Sequence, residues 1–188
     1  MSKENKKEIV FKPSFLMVGN VGYLWTISKA YLDAVKELSV SNSNNCYTIE
    51  LLSTQCVENF LKVIIASEIC LKNKDSSEDC IKMLIDNSFR KFGHRLDDLF
   101  RANAEVMNKM GIEDVKIENS NGYINEYRIF FKDGKYIYLK NLESIRYGAF
   151  ASKPNLINGF NNPNLVSFLD SLSMIAFEEK RVKFNEIK

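Results

Sequence analysis

YTIELLSTQCVENFLKVIIASEICLK, residues 47–72, decides the fold. The stretch holds neither Gly nor Pro, and its apolar residues recur at the three- and four-residue spacing of a helix. Ile49, Leu52, Cys56, Phe60, Val63 and Ile64 make one face, and Leu51, Val57, Leu61, Ile65 and Ile69 widen it well beyond a stripe. A helix this broadly apolar is the central member of a bundle rather than a surface element. Glu50, Thr54, Glu58 and Lys62 form its polar strip, with Glu58 one turn ahead of Lys62, where opposite charges pair.

Outward from this helix, Leu24, Trp25, Ser28, Leu32, Val35 and Leu38 predict an earlier helix from about Val21 to Ser39, with the small polar run SNSNN at 41–45 between the two. Ser77 is an N-cap signal, followed by Glu78 and Asp79 where a helix start favours acids. Ile81, Leu84, Ile85 and Phe89 are the core candidates of that third helix, and Gly93 ends it. A fourth helix is expected from about His94 to Met110, with Gly111 as its stop. Residues 112–160 carry no single pattern. The run Tyr123–Phe131 reads as a helix or as a strand paired with 135–139 across the Asp133-Gly134 turn. Asn162 and Pro163 mark the start of a last helix, with Leu165, Phe168, Leu169, Leu172, Ile175 and Ala176 inward.

The expected fold is therefore all-α: an up-and-down bundle of about five helices with an irregular insert that can form a small β-hairpin. Its organisation is a flexible arm at 1–12, a single domain at 13–180 and a solvated tail at 181–188. The core should include Leu52, Cys56, Phe60, Ile64, Leu99, Phe100, Leu169 and Leu172.

Composition narrows the chemistry. Lys and Arg number 26 against 24 Asp and Glu, a net charge of +2 in 188 residues, without the basic excess of a nucleic-acid coating protein. His94 is the only histidine, which excludes sites that need two imidazoles from one chain. Cys46, Cys56, Cys70 and Cys80 show no C-x-x-C spacing, so free thiols in a cytoplasmic protein are expected, with no metal and no cofactor. No run reaches the length of a membrane span, and the wealth of Lys and Asn, twenty each, suits an AT-rich bacterial or phage source. No Gly-rich phosphate loop, catalytic triad or paired-carboxylate motif is legible. Asp97 and Asp98 are adjacent, and neighbours on a helix point about 100° apart, a poor geometry for shared metal or proton chemistry.

Three pieces of the chain resemble the HEPN (higher eukaryote and prokaryote nucleotide-binding) domain family. Gln55-Cys-Val-Glu58-Asn-Phe60-Leu61-Lys62 is similar to the family's Q-x-x-E-x-x-L-K signature in a long core helix. Gly93-His94-Arg95-Leu96-Asp97-Asp98-Leu99 is similar to its G-H-D-L-x-x-L helix start, and Ile145-Arg146-Tyr147-Gly148 to its late R-Y-P or R-Y-G element. The resemblance implies a compact helical module, commonly a homodimer. Such modules are often encoded beside a nucleotidyltransferase partner or in toxin–antitoxin and phage-defence loci, and bind nucleotide, RNA or a partner protein. Many members are metal-independent ribonucleases with an Arg, four to six residues, then His. Here Arg90 precedes His94 with three residues between, and no His follows Arg146.

Those residues define the candidate site. His94 and Arg146 are the catalytic candidates, with Arg90 as the alternative arginine. Read as the first residue of a helix, His94 is either a cap for free backbone donors or a general base. Arg90, Arg95, Arg101 and Tyr147 are the ligand-binding candidates, because guanidinium groups grip phosphate bidentately. Arg101 follows His94 by seven residues, which in a continuous helix places both on one face. The competing reading of these charges is a solvated face or a set of ion pairs. Eight aromatic residues between Tyr123 and Phe150 can serve as core, as a dimer face or as a base-stacking surface.

Overall fold

The computed structural model describes residues 15–40, 46–120, 124–140 and 164–186. The elements are α1 (Phe15–Val40), α2 (Cys46–Lys72), α3 (Glu78–Phe92), α4 (Leu96–Ala102) and α5 (Ala104–Lys109), then β1 (Ile112–Ser120), β2 (Ile124–Phe131), β3 (Tyr136–Lys140) and α6 (Leu165–Glu186). The described chain is mostly helical, with a three-stranded antiparallel sheet in the order β1-β2-β3. The all-α expectation is corrected to that extent. No helix among the described residues is long and apolar enough to cross a membrane.

Helix α2 is the centre, with α1 and α6 packed on it along their lengths and α3, α4 and β3 closing the remaining side. Phe60, Leu61, Val63, Cys56 and Val57 are fully buried, as are Leu32 and Val35 of α1 and Leu169 and Leu172 of α6. Of the expected core, only Leu52 stands partly exposed, packed at its margin. Across α1 and α6, Trp25 Nε1 donates to the Ser173 carbonyl at 3.3 Å, and Lys36 pairs with Asp170 at 2.6 Å. The segment read as a tail is helical as far as Glu186.

Helix α1 begins at Phe15 rather than at about Val21, and two other differences from the sequence reading have physical reasons. The expected fourth helix is broken at Asn103, which is buried and turns its side-chain amide onto the Leu99 carbonyl at 2.8 Å. The backbone leaves helical geometry at this residue, with φ −108° and ψ 27°, while the Asn103 N–H keeps its own bond to the Leu99 carbonyl at 3.2 Å, and α4 and α5 are separate short helices. Strand β1 carries an irregularity between Ile112 and Asp114. Ile112 and Val115, three residues apart, both pack inward, so the strict alternation that marks a strand is lost.

The hairpin alternative for 123–140 is the one the structure adopts. Ile129 pairs with Ile137 and Tyr127 with Leu139 on the inward face, and Gly134 turns the chain at φ +82°. Phe131 packs edge-on against Phe168 of α6 at 6.0 Å, tying the sheet to the helices. Residues 1–14, including the expected arm, and the Asn162-Pro163 helix start lie outside the described residues.

Phe60→Ala should cost about 3–5 kcal/mol, the scale for a buried aromatic ring replaced by a cavity. Denaturant unfolding measures it, and a loss under about 1 kcal/mol would refute a central α2. Burial pushes the Cys56 thiol up to about 12 and the Cys70 thiol up to about 11, while Cys80 is only half-buried. Thiolate is the reactive form. Native protein at pH 8 should therefore be alkylated at Cys80 while Cys56 and Cys70 react only after unfolding, as read by mass before and after denaturant.

Candidate functional site

The site begins with a turn. Ser77 caps α3 by accepting the Cys80 N–H at 3.3 Å, and Gly93 closes the other end, its N–H donating to the Phe89 carbonyl at 2.8 Å. Gly93 has φ +54°, a conformation that a side chain strains. The Arg95 N–H then returns to the Phe92 carbonyl at 3.0 Å, and His94 lies between α3 and α4.

This turn carries His94 to α2. His94 Nδ1 lies 3.0 Å from both carboxylate oxygens of Glu58, thirty-six residues earlier. Lys62 Nζ donates to Glu58 Oε1 at 2.6 Å, and its ammonium stands 5.5 Å from the centre of the Phe89 ring. The side chains of Glu58 and Lys62 are 5% and 12% exposed, that of His94 48%. A carboxylate clamped by a lysine only accepts, so hydrogen-bond logic assigns a proton to His94 Nδ1 and leaves the Nε2 lone pair on the opposite ring edge.

The expectation that His94 opens a helix is corrected. The residue at the N-cap of α4 is Arg95, without a side-chain cap, and His94 bonds a carboxylate rather than backbone donors. It therefore shares no helix face with Arg101. The polar strip of α2 is corrected too. Thr54 and Glu58 are buried, not solvated, because β3 and the Gly93 turn cover them. Thr54 Oγ1 donates to the Lys140 carbonyl at 2.9 Å, and Glu50 pairs with Lys140 at 2.7 Å.

The phosphate candidates divide. Arg101 reaches Asp97 at 2.7 Å and Asp98 at 3.0 Å, and Arg95 reaches Asp98 at 3.1 Å and Asp97 at 3.3 Å. Both guanidinium groups are thus paired with adjacent acids. Asp97 is itself buried, and its charge adds to burial in pushing the Tyr127 phenol up. Arg90 is exposed in the last turn of α3, beside exposed Lys91. Arg146 and Tyr147 lie outside the described residues.

The aromatic run splits between both faces of the sheet. Tyr127 is buried among the core residues, while Arg128 on the outer face lies 4.8 Å from the Tyr138 ring, 5.7 Å from Tyr136 and 5.9 Å from Phe130. Tyr123, Tyr147 and Phe150 lie outside the described residues. Among the described residues, no cluster of three or more His, Cys, Asp or Glu side chains is placed to hold a metal ion.

The contact that sequence reasoning missed is Glu58 with His94. Both residues stand in the motifs quoted above, but nothing local to either announces the other. Comparison of the chain with family models, curated proteins and solved structures finds no match.

Glu58→Ala should destabilise by about 3–5 kcal/mol, because it leaves Lys62 buried without its partner. His94→Ala should cost about 1 kcal/mol, the net worth of one half-exposed hydrogen bond. Equal losses in paired unfolding curves would refute this ordering.

Proposed function

We propose that this chain is a HEPN-like, non-catalytic helical module that binds a nucleotide or RNA ligand. The observation that carries the reading is the meeting of two of the three family-like pieces. Glu58 and Lys62 come from the Q-x-x-E-x-x-L-K segment and His94 from the Gly93-His94 turn, joined at 3.0 Å and 2.6 Å. A resemblance in sequence that also converges in space has a physical reason for its spacing. The non-catalytic half of the reading rests on the neutralised Arg95 and Arg101, and on an arginine-to-histidine spacing outside the family's nuclease range. The setting that this reading implies is a bacterial toxin–antitoxin or defence system, with a homodimer and a partner such as a nucleotidyltransferase.

A second reading, a metal-independent endoribonuclease, has one observation in its favour. His94 keeps Nε2 at a half-exposed position while a buried carboxylate orients the ring, the arrangement of a general base. Arg90 or Arg146 would then stabilise the phosphorane.

Anisotropy of a fluorescent single-stranded RNA oligonucleotide, measured with chelator present, separates the two. The expected result is salt-dependent binding without cleavage, weakened in Arg90→Ala. Cleavage by the wild type that disappears in His94→Ala would replace the binding reading with the nuclease. No binding of RNA or mononucleotide would overturn both.

A further inference from the structure

His94 combines features that a structural histidine does not need. Its Nδ1 is held by both oxygens of a buried carboxylate, yet its side chain is 48% exposed. The hydrogen bond fixes the tautomer with the proton on Nδ1, so the free lone pair is on Nε2, at the edge turned away from Glu58. Lys62 also holds the carboxylate, donating to Glu58 Oε1 at 2.6 Å, which restrains Glu58 beside the ring. An imidazole with a fixed tautomer, a buttressed inner nitrogen and an accessible outer one is a nucleophile as well as a base. Arg90 and Lys91, exposed in the turn of α3 that leads into Gly93, supply positive charge on the same stretch of chain.

We propose that His94 is a phosphoryl-acceptor site, whose Nε2 takes a phosphoryl group from a small donor of the acyl phosphate or phosphoramidate class. This goes beyond the ligand-binding reading and does not depend on it.

The step balances without an added oxidant or base. The Nε2 lone pair attacks phosphorus, the N–P bond forms, and the bond from phosphorus to the donor's acyl oxygen or nitrogen breaks. An acyl phosphate leaves as carboxylate; a phosphoramidate leaves as ammonia once its nitrogen is protonated by solvent. The imidazole ring becomes cationic, and its Nδ1 proton stays in place, facing the Glu58 carboxylate. Glu58 is thus a positioning residue that stabilises the charge the ring acquires.

The test uses the full chain with potassium phosphoramidate at neutral pH, followed by intact mass and by phosphorus–proton NMR. His94 is the only histidine, so an adduct of one phosphoryl group whose phosphorus couples to imidazole ring protons, and which His94→Ala abolishes, reports this residue alone. The expected product is the Nε2 isomer only, while the same chain in urea gives both ring isomers. Glu58→Gln should slow the reaction by about tenfold or more, the scale of a lost supporting bond to a histidine nitrogen. Acetyl phosphate as a second donor should give the same adduct. Failure of the folded wild type to form it with either donor would overturn the proposal. So would a mixture of isomers like that in urea, or a folded Glu58→Gln that reacts at the wild-type rate. If Glu58→Gln does not fold, the folded-against-unfolded isomer pattern of the wild type decides alone. RNA binding by the wild type is scored separately, so failure of either reading leaves the other standing or falling by its own measurement.

Discussion

A carboxylate inside the central helix is the constraint around which the rest is arranged. Glu58 sits on α2 with its side chain 5% exposed, and an isolated charge at such a position costs several kcal/mol. Lys62 answers it from one turn along the same helix and His94 from a different part of the chain. The second contact joins the α3–α4 turn, in which Gly93 has a positive φ of 54°, to the central helix. The burial of one acid thus ties a helix, a turn and a glycine into a single requirement.

The other polar residues of α2 follow the same logic. Where neighbouring elements cover α2, its buried polar side chains need partners. The sheet supplies those for the first half of the strip. Lys140 of β3 offers its ammonium to Glu50 and its carbonyl to Thr54. Burial raises the pKa of Glu50 and Lys140 opposes that shift, so the pair is a working compromise between desolvation and attraction. The insert is therefore a lid on the polar strip of α2, and its inward residues Ile129, Ile137 and Leu139 extend the core.

Much of the charge around His94 is paired with neighbouring acids. Asp97 and Asp98 hold Arg95 and Arg101 in a four-residue network on α4, which leaves little net field there. On the outer face of the sheet, Arg128 lies among the rings of Phe130, Tyr136 and Tyr138. The cations that sequence reading gathers around His94 thus fall into those neutralised by adjacent acids and those, Arg90 and Lys91, that face solvent at the end of α3.

Local pattern was enough for the bodies of α1, α2, α3 and α6, though not for the start of α1 or the division of α4 from α5. The apolar breadth of 47–72, the Ser77 cap and the Gly93 and Gly111 stops are all written in short-range terms, and each appears where the periodicity places it. The Glu58–Lys62 pair is likewise local, one helical turn apart. What required the tertiary structure has longer range. The choice of hairpin over helix at 123–140 depended on the inward face of the strands finding α2 and Phe168, and the β1 irregularity hid its alternation from any periodic reading. The break at Asn103 is a change of backbone at a buried residue whose amide also donates to the Leu99 carbonyl. His94 reads in sequence as a helix start and becomes the partner of a buried acid only when α2 and the Gly93 turn are packed together. No residue near either one encodes that contact, since thirty-six residues separate them and only the packing of α2 against the Gly93 turn brings them together.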